Sequence, residues 1–437
     1  MSSPSTEAAH AFISATRGSK SLDSALPELK HLYSQFAAQA LDYVRKIAHP
    51  QRLGSLSLVP TYSCNPKAEN FTLDGTTYVI YDQFGGQVFN KLNRFIFEPF
   101  EQRYIETYLH KLWACLNLAN GAPRRALDHA LCYSRAGKYR WLPLIEERET
   151  RALFTAAQEA FVIAHEVAHF FYRHRTIGNS AVKRNFISLL KLGDEWERSK
   201  SQHVDDSEVI KDALASWVDG FRRRAGRDPD ANEISIYVER MKSRSSRRWD
   251  PRIDLIDVVL QDAELLEECI CDALGADIAA RVLQREMGYV GALLAVSLGL
   301  QNLRFLQYAD KLTRFMSGRL ESLDHHHTDV RRWLSFRHIS LGLLMRYLDD
   351  AVDLSVEVPM SMDEYLGCGD ILNDYVGRFA KFNSRHYSAI SEGGAEPFLA
   401  TSAFEIDGLH LNADYEPLVS ISNKQCAMLT RQLCGWR

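Results

Sequence analysis

Residues 161–175 read FVIAHEVAHFFYRHR, and within the apolar part of that run stand His165, Glu166 and His169. A helix that is apolar all round must be enclosed on every side, so this stretch places polar groups where water cannot reach them. An unpartnered buried polar group costs a few kcal/mol, and a charge costs more. On an α-helix, positions four apart stand one above the other. His165 and His169 therefore aim two ring nitrogens at one point, and Glu166 lies about 100° round the helix. A shared metal ion satisfies both imidazoles, and the spacing predicts one, with Glu166 placed to act as general base on a water beside it.

Two imidazoles leave a catalytic zinc one protein ligand short. The chain continues HFFYRHRTIGNS, so no third histidine follows in an HxxGxxH pattern. His174 sits half a turn from the ligand face and reads as a helix-end histidine near the negative end of the dipole. Downstream, DAELLEECICDALGADIAARVLQ (262–284) forms a second helix. Glu264, Glu268 and Asp272 make one stripe on it, and Glu267 is rotated off that stripe. Leu265, Ile270, Ala273, Leu274 and Ala276 predict that this helix too is largely buried. Glu268 is the expected third ligand, with Glu264 and Glu267 as the alternatives. Asp272, one turn on, is the expected acceptor for a ligating imidazole. Cys269 and Cys271 point to nearly opposite sides and read as packing residues.

HEVAHFFYRH followed by EECICDALGAD resembles the gluzincin metallopeptidases, especially the CAAX-prenyl-protease and HtpX type, which pair HExxH with ExxxD on a second helix. The resemblance covers about 150–335 at motif level. It implies a zincin-like fold, one Zn2+ per chain and hydrolysis of peptide bonds in a protein or peptide substrate. That family also carries a histidine with an arginine six residues beyond it, near the developing oxyanion. DHHHTDVRRW (324–333) keeps this spacing through His325 and Arg331, and equally through His326 and Arg332. The resemblance gives His325 a catalytic role and Arg331 a supporting one. It further implies a peptide lying extended along an edge strand, for which TYVIYDQF (77–84) is the candidate. The family's prolines and membrane-spanning helices are missing, and His169 and Glu268 lie unusually far apart.

Helical periodicity elsewhere predicts helices near 27–47, 98–119, 206–225, 231–244, 256–284, 287–304, 329–350 and 371–383, and a strand at 76–84 after the turn Asp74-Gly75. The fold class expected is mainly α with a small β-sheet (α+β). An N-terminal helical segment (1–60) precedes a metallopeptidase core (61–350), and a C-terminal segment (351–437) follows with no assigned role. Residues 176–255 read as a charged helical insertion in the core.

The amino terminus has no basic region followed by an apolar one, so no secretory signal is expected. The longest apolar run, MGYVGALLAVSLGL (287–300), is too short for a bilayer and reads as a buried helix. Eight cysteines without a CxxC pair suit reduced thiols in a cytoplasmic protein. The net charge of −4, and acids interleaved with the arginines of 222–248, argue against a nucleic-acid partner. The sequence does not encode a readable oligomeric state. The competing expectation is a metal-stabilised sensor or interaction module without peptidase activity, against which Glu166 stands, since a structural site needs no base.

Overall fold

The apolar helix predicted around His165 lies at the centre of the molecule. The computed structural model describes residues 11–15, 20–21, 27–47, 55–62, 68–97, 102–136, 145–173, 179–203, 255–316, 327–353 and 422–434, with shorter pieces between 214 and 238, 318 and 320, and 364 and 368. In chain order the elements are β1 (Lys20–Ser21), α1 (Pro27–Ile47), β2 (Ser55–Tyr62), β3 (Glu69–Leu73), β4 (Thr76–Asp82), α2 (Gln83–Phe97), α3 (Gln102–Ala119), α4 (Pro123–Ala136), α5 (Ile145–Arg173), α6 (Asn179–His203), α7 (Leu255–Gln261), α8 (Ala263–Val282), α9 (Gln284–Met316), α10 (His327–Asp353) and α11 (Asn423–Leu433). The protein is mainly α with a small mixed sheet. The helices expected at 206–225 and 371–383 fall mostly or wholly outside the described residues.

The sheet runs β1-β2-β4-β3, with β2 and β4 parallel and the outer pairs antiparallel. Asp74 (φ 49°) and Gly75 (φ 76°) both take left-handed backbone, as a two-residue hairpin turn requires, and join β3 to β4. Asp82 ends β4 and accepts the Phe84 N–H at 2.9 Å, which starts α2 at once. Along β4, Val79 and Tyr81 face the helices, whereas Tyr78 and Ile80 pack with Ile13 and Val59 on the other face. The strand expected to be a free edge is therefore an inner one, since β4 has neighbours on both sides and no unpaired backbone to offer. β3 is the strand at that end of the sheet.

Helix α5 is walled in by α1, α2, α8 and α9 and by the sheet. Phe161 and Ile163 join the main core, and Ala164, Val167, Phe170 and Phe171 meet Val79, Ala40, Val44 and Ile278. Helix α8 comes unusually close to α5 because Gly275 lies against the backbone of His165; a Cβ there would sit 3.1 Å from the His165 nitrogen. The helix expected over 256–284 is broken in two by Asp262, whose side chain accepts from the Glu264 and Leu265 N–H groups and caps α8. Among the described residues one helix, α9, is long and apolar enough to cross a membrane, and its apolar stretch is mostly buried in the core.

Helix α6 opens the stretch read as an insertion, yet Phe186, Leu189 and Leu190 enter the main core. It crosses α10 at backbone contact, with Gly193 against the His338 carbonyl and Gly342 against the Leu189 carbonyl. Glu197 pairs there with Arg337 (3.0 Å) and His338 (2.8 Å). Further along the stretch, Arg222 pairs with Asp228 and Arg227 with Glu233, so these arginines carry acids beside them.

Candidate metal centre

Three helices supply the centre: α5 brings His165, Glu166 and His169, α8 brings Glu267, Glu268 and Asp272, and α10 brings Arg332. The two imidazoles are buried, and their Nε2 atoms stand 3.0 Å apart. Glu268 reaches between them, with Oε2 at 3.5 Å from His165 Nε2 and Oε1 at 3.3 Å from His169 Nε2. His165, His169 and Glu268 thus offer donor atoms within 4.8 Å of one another, a group able to hold a metal ion. Bonds of about 2.0–2.1 Å at tetrahedral angles set donor atoms about 3.3 Å apart, which matches this spacing.

The other ring nitrogens say which atoms are free to bind. His169 Nδ1 lies 2.7 Å from Glu267 Oε1, and a carboxylate can only accept, so the ring hydrogen belongs on Nδ1. His165 Nδ1 lies 3.0 Å from Asp272 Oδ1, close enough for charge pairing but off the line of a good N–H···O bond. With hydrogens turned toward those carboxylates, both Nε2 atoms present lone pairs to each other and to Glu268. Such a convergence of acceptors calls for a proton or a metal ion among them, and the three donors fit a divalent ion that displaces the proton.

The electrostatics favour positive charge at this place, whether a proton or a metal ion supplies it. Glu267, Glu268 and Asp272 bring three carboxylates to the two imidazoles, and Arg332 brings a guanidinium. Burial opposes charging of His165, yet the Asp272 and Glu268 carboxylates outweigh it and raise its pKa to about 9. Burial would push Glu268 up, but His165, His169 and Arg332 hold it well below the usual carboxylate range. Asp272 is held low in the same manner, against burial, chiefly by Arg332.

Arg332 grips Asp272 with two bonds of 2.6 Å and touches Glu268 Oε2 at 2.6 Å through its remaining terminal nitrogen. Of the tandem arginines, Arg332 is the one that meets α8, while the Arg331 carbonyl accepts from Ser335 within α10. The reason is helical phase, since neighbours on α10 point about 100° apart and only one can face α8. The residues His325 and His326 lie outside the described residues.

Glu166 is partly exposed, unlike the histidines that flank it. Asn70 of β3 donates its side-chain amide to Glu166 Oε2 at 3.0 Å and to the Glu166 carbonyl at 3.4 Å. The sequence pattern brings together His165, His169, Glu268 and Asp272 as the structure does, and it misses Asn70 and the contact made by Glu267. The signal for Asn70 is present in ENFTL-DG-TTYVI, two extended runs across a tight turn. Cys269 and Cys271 are buried and free, and burial pushes both thiols up, as packing residues require. Comparison with protein-family profiles, curated proteins and solved structures returned no match.

Proposed function

We propose that the chain is a zinc-dependent endopeptidase in which His165, His169 and Glu268 hold the metal and Glu166 is the general base. The observation that carries this reading is the difference between Glu166 and its neighbours. The histidines are buried and backed by carboxylates, whereas the glutamate between them is partly open and turned toward the sheet edge. A purely structural metal site has no use for such a residue.

Bound by these three residues, zinc supplies Lewis acidity and makes water a nucleophile near neutral pH. Glu166 takes the proton from the attacking water and returns it to the leaving amine. Asn70 keeps the carboxylate aimed, and Arg332 fixes Glu268 and Asp272 in place. β3 lies beside Glu166, so an extended peptide pairing along that strand would present its backbone to the base.

The test is elemental analysis of the purified chain with a peptide-library cleavage assay, wild type against Glu166→Gln. Both proteins should hold one zinc, and the variant should lose about 100- to 10,000-fold in cleavage rate. Equal cleavage by the two would remove the general base, and a metal-free wild type would remove the centre.

A further inference from the structure

Glu267 and Glu268 are consecutive on α8, and they meet opposite edges of the same imidazole. Glu268 Oε1 faces His169 Nε2 at 3.3 Å, while Glu267 Oε1 lies 2.7 Å from His169 Nδ1. Neighbouring side chains on a helix diverge by about 100°, which is the angle needed to straddle a ring lying across the helix. The sequence alone left Glu267 as an alternative metal ligand. Its place on the Nδ1 side of His169 assigns it other work, because the ion would be shared on the Nε2 side.

We propose that Glu267 is a positioning residue that fixes the His169 ring and its tautomer for metal binding; this rests on the reading of His165, His169 and Glu268 as the metal ligands. An acceptor on Nδ1 requires the hydrogen to be there, and Nε2 is then left with its lone pair turned to His165 and Glu268. A ring flip would carry Nδ1 away from Glu267 and set carbon where Nε2 now stands. Asp272 stands in the corresponding place behind His165 at 3.0 Å, so each imidazole has its own carboxylate behind it. The two are held differently. Asp272 is fully buried and clamped by Arg332, whereas the side chain of Glu267 keeps 22% of its surface exposed. Glu267 is therefore the less enclosed of the two carboxylates.

Partners of this kind carry about 10- to 100-fold in metal affinity. The experiment titrates Zn2+ into the metal-free full-length chain against a chromophoric chelator, for wild type, Glu267→Ala and Glu267→Gln, with the melting temperature of each metal-free protein measured alongside. Glu267→Ala should bind zinc about 10- to 100-fold more weakly while its metal-free form still unfolds in a single cooperative transition. Glu267→Gln keeps an oxygen acceptor at the same reach and should recover most of that loss, which a role through charge alone would not predict. Wild-type affinity in Glu267→Ala, or a glutamine variant no better than alanine, overturns the assignment while the metal centre stands. A wild-type chain that takes up no zinc overturns both together.

Discussion

Asn70 and Glu166, 96 positions apart in the chain, are joined by a hydrogen bond of 3.0 Å from the side-chain amide to the carboxylate. The bond ties β3 to a partly exposed carboxylate beside the two histidines. A donor to an ionised acceptor makes a stronger bond than a neutral pair, and it fixes direction as well as distance.

Removing that donor should therefore cost rate and leave the metal alone. Asn70→Ala is expected to keep the wild-type zinc content and to lose about 10-fold in kcat for peptide cleavage, as expected for one hydrogen bond to a charged group. Steady-state kinetics with metal analysis checks this, and an unchanged kcat would show that Glu166 needs no help from β3.

Among the described residues, Arg332 is the sole guanidinium or ammonium in contact with Asp272 and Glu268. Arg332→Met would leave the buried Asp272 charge with only His165 to balance it, a loss of up to about 3–5 kcal/mol. Arg332→Lys keeps the charge but cannot make the paired bonds of a guanidinium, and should fall between. Arg331→Met should change stability by no more than about 0.5–1 kcal/mol. Denaturant unfolding of the metal-free proteins gives all three values. Equal losses at 331 and 332 would contradict the pairing seen for Arg332.

Glu159 lies inside the protein, where Tyr33 and Tyr81 both donate to its Oε1, at 2.7 and 3.0 Å. Burial pushes its carboxyl up to about 7, with the two hydroxyls pulling the other way. An unfolded glutamate titrates near ~4.3, so from roughly pH 4.5 to 7 the folded chain keeps a proton that the unfolded chain has lost. Stability from this group is whole below the unfolded value and is lost as pH rises through about 7, a change on the order of 3 kcal/mol. Glu159→Gln retains an acceptor and cannot ionise. Its stability relative to wild type should rise between about pH 5 and pH 7 and level off above that, as read from denaturant midpoints; a constant difference from about pH 5 to pH 7 would rule the effect out.

Much of this architecture is legible in the residues themselves. Helix α1 spans Pro27–Ile47 as its periodicity predicts, and β4 follows the Asp74-Gly75 turn. His165, His169, Glu268 and Asp272 stand out because buried polar residues at helical spacing are stable in apolar surroundings only with a partner to share. What escapes does so for physical reasons. β3 is short and half polar, so its alternation is weak. Phe186, Leu189 and Leu190 of α6 are diluted by charged neighbours, and the helix reads as solvated until α10 is laid against it. Arg331 and Arg332 are identical in sequence logic, and only the rotation of α10 separates them. Glu267 is discounted for its distance from the acidic stripe, when its use lies in being off that stripe.

The ties across the centre are long ones: His169 to Glu267 spans 98 positions and Asp272 to Arg332 another 60. A nascent chain therefore emerges from the ribosome with the histidine helix first, its carboxylates much later and its guanidinium last. Until α10 arrives, Asp272 lacks the cation that holds it, and the acidic helix has reason to stay out of the interior. If the centre holds an ion as proposed, its uptake would mark the end of assembly, and chelator-resistant metal content would measure how many newly made molecules have reached the native state.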